Sequence, residues 1–289
     1  MFPIIGIVVV IGAILGGYLF EHGNVMVLIQ PAELIIIGGA AIGTLLIANP
    51  LPVIISVLKG VLGTFKPAKY NKARYLTTLR MLNDLFKRAR RGGMTSLESD
   101  VEEPEKSEIF KNYPEILNDH HAIEFICDTL RTAMSGAISH FDLDQMVELD
   151  LDVHHKEIAR PVTALTTVAD ALPGLGIVAA VLGVVMTMSS LGGPPAEIGK
   201  KVAAALVGTF LGILLCYGFL SPLAANMTGS NEAESNYYHC LRTGLIAFVR
   251  GAAPVLAVEF SRRSIPAAVR PTFKEMEECF RGKADAAAA

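Results

Sequence analysis

Four stretches of this chain contain no Asp, Glu, Lys or Arg: residues 2–20, 34–58, 171–196 and 202–231. Each is longer than the roughly 18 apolar residues that carry a helix across a bilayer. Inside lipid every backbone N–H and C=O must be bonded within the protein, which leaves the helix as the natural form for isolated runs of this kind. The pattern therefore predicts an all-α membrane protein with four transmembrane helices. A hydrophobic fraction of 52% against 18% charged residues agrees with it. The first run has no basic residues before it and exceeds the length of a secretory signal's apolar core, so a retained span is expected rather than a cleaved leader.

Lys and Arg then set the orientation. The loop 21–33 has none, 59–165 has fifteen, the turn 191–201 has only Lys200 and Lys201, and the chain after 231 has eight. By the positive-inside rule the middle segment and the tail face the cytoplasm, with both termini inside. Lys200 and Lys201 fall on the other side, where they can snorkel to the interface from a helix end. The expected organisation is a transmembrane hairpin over 1–58, a cytoplasmic helical domain over 59–167, a second hairpin over 168–228 and a cytoplasmic tail over 229–289. In the cytoplasmic part Leu76, Leu79, Leu82, Leu85 and Phe86 recur at helical spacing, as do Ile123, Ile126, Cys127 and Leu130. Breaks are expected at Gly92-Gly93, Pro104 and Asn112-Tyr113-Pro114, and fraying over the Ala-rich 284–289. A net charge of −3 gives no reason to expect a nucleic-acid partner. The four cysteines form no CxxC pair and read as free thiols in apolar surroundings.

Small residues pattern the spans. Gly12 with Gly16, Gly39 with Gly43, and Gly208 with Gly212 form GxxxG, and Gly176-xxx-Ala180 and Ala179-xxx-Gly183 extend the theme. Such spacing lets helices approach closely, either within one subunit or between subunits. Spans three and four otherwise offer only hydroxyls: Thr187, Ser189, Ser190, Thr209, Tyr217 and Ser221. A proton path through lipid uses an ionisable relay. None is expected at mid-membrane here, so either the chain conducts nothing or a partner supplies the carboxylate. Pro173 is placed at the opening of span three, and Pro222 inside the last turns of span four. Each is either a structural kink or a hinge.

The segment 87–105, KRARRGGMTSLESDVEEPE, sets four bases before Gly92-Gly93 and five acids after it. Helix chemistry accounts for much of this. Cations suit a helix end that Gly92 terminates, acids suit a helix start, and Thr95 with Glu98 matches a capping box. Capping does not need nine charges, which leaves a charged docking surface as the second reading.

RRGGMTSLESDVEEP resembles the signature of the motility protein A (MotA) family, the flagellar motor stator subunits related to the TolQ and ExbB proton channels. SEIFKNYPEIL, LPGLGIVAAVLGVV, LVGTFLGILLCYGFLSPLA and APVLAVEFSRR are similar to that family in the same order, over essentially the whole chain. The resemblance implies a subunit of the bacterial inner membrane. It implies five copies around a dimer of the B subunit (MotB), which supplies the protonatable Asp, and cytoplasmic domains that push on the rotor protein FliG. It implies rotor contacts at Arg90 and Glu98, torque coupling at Pro173 and Pro222, and an ion pathway at Thr209 and Ala180. Sodium-driven relatives carry Thr where this chain has Ala180. A methyl group offers a hard cation no oxygen, so protons are expected. No cofactor or metal is implied.

Three other readings have their own discriminators. An ExbB- or TolQ-like energiser would have three spans and lack the charged signature. A membrane enzyme would need His120, His121 and Glu124, or His154-His155, to converge on a metal, and the chain has no GxSxG, HExxH or Walker motif. An inert scaffold would show no ion flux.

Overall fold

The computed structural model describes residues 2–189 and 192–281; Ser190 and the Ala-rich 284–289 lie outside them. The described regular elements are helical throughout: α1 (Phe2–Phe20), α2 (Val25–Leu28), α3 (Pro31–Ala48), α4 (Leu51–Gly63), α5 (Lys72–Gly92), a 3₁₀ turn (Met94–Leu97), α6 (Glu98–Glu102), a second 3₁₀ turn (Phe110–Asn112), α7 (Pro114–Leu117), α8 (His120–Met134), α9 (His140–Met188), α10 (Pro195–Ile213), a π-helical run (Leu214–Leu220), α11 (Ser221–Val249), α12 (Pro254–Ser264) and α13 (Phe273–Arg281). Among the described residues four helical paths are long and apolar enough to cross a membrane: Phe2–Phe20, Val25–Ala48, His140–Met188 and Pro195–Val249.

Two compact units result, Met1–Pro67 with Glu157–Asn231 and Ala68–Lys156 with Glu232–Ala289. In the first, Ile37, Ala41, Val168, Ala169, Leu172, Ala179 and Cys216 form one core, and Val57, Ala164, Leu165, Ala224 and Met227 another. Close helix contact here depends on missing side chains. A Cβ on Gly176 would lie 2.8 Å from the Gly208 carbonyl oxygen and 3.0 Å from Gly212 Cα, so α9 and α10 cross backbone to backbone. The small-residue pattern of spans three and four thus packs within one chain. A Cβ on Gly12, Gly16, Gly39 or Gly43 would meet no atom within 4 Å beyond its own stretch of helix.

Two sequence expectations need correction in the membrane unit. The uncharged run 34–58 is not one helix, because Asn49 is extended at φ −135° and ψ 142° ahead of Pro50, and α4 starts afresh. Proline disfavours helical geometry in the residue before it. Pro173 does not open a helix but lies inside α9, which begins at His140. Pro222 does lie inside a continuing helical path, since α11 follows the π-helical run and continues to Val249.

The second unit is built around α5. Asn71 caps it by accepting from the Arg74 N–H at 3.0 Å, and Gly93 ends it with φ +79°, a left-handed conformation glycine adopts without strain. Its apolar face buries Tyr75, Leu79, Leu82, Leu85 and Phe86, and Phe86 stacks on Phe248 at 4.3 Å. Each such side chain contributes roughly 1.5–3 kcal/mol through burial. Ile123, Ile126, Cys127 and Leu130 of α8 join the same core. A capping box does occur, at Thr272–Glu275 of α13, where Glu275 accepts from the Thr272 N–H at 2.7 Å and Thr272 Oγ1 accepts from the Glu275 N–H at 3.2 Å. Lys72 and Thr272 together hold the Glu275 carboxyl down at about 2.

Arg74 is the buried base of a buried ion pair in this unit. It is 6% exposed, lies 2.8 Å from Asp119 Oδ2, donates to the Glu115 carbonyl and sits over the Tyr237 ring at 5.4 Å. Tyr237 in turn shares a 2.9 Å hydrogen bond with Thr78. Arg74→Met should strand Asp119, which is equally buried. Lys69, 2.9 Å from the same carboxylate, stays to neutralise it. The expected cost is therefore about 3 kcal/mol, the low end for breaking a buried pair, read by denaturant unfolding of the detergent-solubilised protein.

Candidate functional site

Two places collect the residues singled out from sequence, and they fall in different units. In the membrane unit Ala180 of α9 and Thr209 of α10 flank the glycine crossing. A Cβ on Gly208 would be 3.2 Å from Ala180 N. Both Ala180 and Thr209 are half-buried. Thr187 turns its hydroxyl back onto the Gly183 carbonyl at 2.8 Å, as helical threonines commonly do. Thr209 makes no such bond among the described residues. Pro173 comes directly after Leu172, whose carbonyl oxygen would lie 2.6 Å from a Cβ on Gly212. Pro222 is one residue beyond the π-helical run, after Ser221, whose N–H caps the run on the Cys216 carbonyl.

The expectation of spans without an ionisable group needs one correction. Glu33 lies in the first turn of α3, not in a loop, and is only 7% exposed. Its Oε2 occupies the space a Gly208 side chain would fill, 2.8 Å from that Cβ position. Hydropathy overlooked it because an acid at the end of an apolar run reads as the loop boundary.

In the other unit the nine charges of 87–105 divide by burial. Asp100 is 2% exposed, accepts from the Ser107 hydroxyl at 2.6 Å and pairs with Arg88 Nε at 3.3 Å. Arg88 also donates to the Ser96 carbonyl, and Ser96 Oγ donates to the Gly93 carbonyl at 2.7 Å. Glu102 binds Arg131 at 2.9 Å, and Glu103 binds Lys106 at 2.8 Å. These residues fasten the turn. The Thr95–Glu98 capping box is absent: Met94–Leu97 form a 3₁₀ turn, and α6 begins at Glu98 with no side-chain cap. Ser96, bonded to the end of α5, holds the turn closed instead. Arg90 and Glu98 are both exposed and form no ion pair or side-chain hydrogen bond among the described residues. Helix capping therefore does not use them.

The histidines do not assemble a metal centre. The His121 and His154 rings lie tilted to each other at 6.2 Å, and His154 Nε2 is 3.2 Å from Glu234. Among the described residues no group of three or more His, Cys, Asp or Glu is placed to hold a metal ion.

Long apolar helices, a glycine-tight crossing and a helical unit with outward charges define an all-helical membrane protein. Residues 118–239 match the MotA/TolQ/ExbB proton channel family, and residues 4–93 match motility protein A, N-terminal. The chain is 42% identical to motility protein A of Escherichia coli (strain K12) over 96% of its length and 94% of that protein. It is 38% identical to chemotaxis protein LafT of Vibrio parahaemolyticus over 95% and 96%. Its fold is similar to that in the structure of C. jejuni MotAB, with TM-score 0.76, 17% identity and 94% and 98% coverage. It is similar also to that in the flagellar MotAB stator complex from Bacillus subtilis, with TM-score 0.74, 22% identity and 92% and 96% coverage. The chain belongs to the motility protein A family: it is a flagellar motor stator subunit.

Proposed function

We propose that this chain assembles with MotB in the bacterial inner membrane, both of its termini cytoplasmic, and couples proton flow to torque on FliG. The observation that carries this is the α9–α10 crossing. It brings Gly208, the residue before Thr209, against the Ala180 backbone, yet 171–189 and 202–231 contain no Asp, Glu, Lys, Arg or His. A membrane helix from MotB bearing a carboxylate would complete such a path. The resemblance to MotAB complexes supports that partner. Five copies around a MotB dimer suit the apolar, glycine-bearing faces of α1 and α3, where a Cβ on Gly12, Gly16, Gly39 or Gly43 would meet nothing within 4 Å beyond its own stretch of helix. Arg90 and Glu98 serve as handles for FliG, and Pro173 and Pro222 transmit the movement. Catalysis has no part in this function, and a stoichiometric metal in the purified protein would contradict it.

Co-expression with an open-channel form of MotB tests the proposal. Proton uptake should accelerate only when both chains are present; no uptake would leave an inert scaffold. Ala180 makes a separate prediction. Swimming speed at fixed pH should be unchanged when sodium is replaced by potassium, because Ala179, Ala180 and Gly208 contribute no side-chain oxygen to a sodium ion. A steep rise of speed with sodium would overturn it.

A further inference from the structure

Glu33 is a carboxylic acid built into packed membrane helices. It is 7% exposed, and its Oε2 has no hydrogen-bond partner among the described residues. The oxygen reaches the α9–α10 crossing, since the Cβ position of Gly208 is 2.8 Å from Oε2, 3.2 Å from Ala180 N and 3.2 Å from Ala179 Cβ. Any residue larger than glycine at 208 would collide with it, and the next residue is Thr209. A carboxyl oxygen in such a place, without a donor, needs a proton or a cation. A hard cation would require several further oxygens, whereas the side chains at 179, 180 and 208 offer only methyls and a hydrogen, and Thr209 adds a single hydroxyl. The charged groups on neighbouring elements are Glu197, Lys200 and Lys201 of α10. Lys201 pairs with Glu197 at 3.4 Å and precedes Gly208 by two helical turns, about 10 Å. Neither α2 nor 171–188 of α9 carries a charge.

We propose that Glu33 is a proton-accepting residue of the pathway, receiving protons from the side of the 21–30 connection and passing them to the partner's carboxylate. This rests on the conduction proposed above. A hydronium ion gives up its proton, an O–H bond forms at Oε2 and water leaves. That O–H then breaks as the proton moves to the partner's carboxylate, and Glu33 returns to its ionised form with no electron transferred. The pathway thus uses two carboxyl groups, one from each kind of chain, where the spans were expected to contribute hydroxyls alone.

The test uses the full chain with open-channel MotB in inverted membrane vesicles, measuring proton flux against pH together with co-purification of MotB. Glu33→Gln should lower the flux about a hundredfold, the low end of what a positioned proton-transferring group contributes, with the complex intact. Glu33→Asp should keep measurable flux with a displaced pH midpoint, a shift that mere packing would not produce. Wild-type flux in the Gln variant overturns the proposal, and so does an unchanged midpoint in the Asp variant. If the Gln variant loses MotB, the Asp midpoint alone decides. Absence of flux in the wild-type complex would instead overturn the conduction itself, and this proposal with it.

Discussion

Reversing the two outward charges together, Arg90→Glu with Glu98→Lys, is expected to abolish swimming while MotB still co-purifies. Both side chains are exposed, and no ion pair or side-chain hydrogen bond holds either one among the described residues. Surface substitutions of this kind change stability by only about 0.5 kcal/mol in either direction. A charge-patterned partner responds differently, because like charges brought together at an interface cost several kcal/mol and spoil the register. Swimming in soft agar and MotB pull-down separate the two effects. Arg88→Glu is the informative contrast. It faces the buried Asp100 at 3.3 Å, so its reversal should lower folded protein in the membrane fraction as well as motility. If the Arg90–Glu98 double variant also failed to assemble, those two charges would belong to the fold after all.

The division between these two pairs shows where sequence stops being legible. Nine charges in one segment are visible to anyone counting, and so is the helix end at Gly92-Gly93. Which charges fasten the turn depends on Asp100 being folded under Arg88 and Ser107, a tertiary contact that spacing does not encode. The capping box shows the same limit. Thr95-x-x-Glu98 has the right spelling but forms a 3₁₀ turn, because the Ser96 hydroxyl already serves the Gly93 carbonyl. Thr272-x-x-Glu275 has the same spelling and the full reciprocal bonding. The four spans were legible because their lengths are set by the bilayer, which the chain must match in apolar residues. The break at Asn49-Pro50 was written in the sequence too, but the uninterrupted apolar run around it masked it. Glu33 was hidden for the opposite reason: a single acid beside an apolar run looks like an edge, and only the bare backbone of Gly208 reveals where its carboxyl goes.

Pro222→Ala is expected to remove most of the torque while the protein inserts and accumulates normally. In an α-helix the ring of Pro222 would press on the carbonyl of Gly218, four residues back, and its missing N–H would leave a gap in the ladder. The chain meets this with a π-helical run over Leu214–Leu220, closed by the Ser221 N–H on the Cys216 carbonyl, five residues back. Alanine supplies the N–H and removes the ring, so the α ladder can close through 214–222. Removing the extra residue of a π turn rotates the helix beyond it by one residue's angle, about 100°. α11 then leaves the membrane unit with a different face turned to its neighbours. Pro173→Ala acts on the facing helix, where a regained N–H can reach the Ala169 carbonyl and straighten α9 beside Gly212. Misfolding is not the expected cause of either loss, since proline inside a helix is roughly 3 kcal/mol less favourable than alanine. Tethered-cell torque measured alongside membrane-fraction abundance distinguishes these outcomes. Wild-type torque in both variants would reduce the prolines to structural kinks, whereas lost torque at normal abundance would make the π-helical run the element that moves.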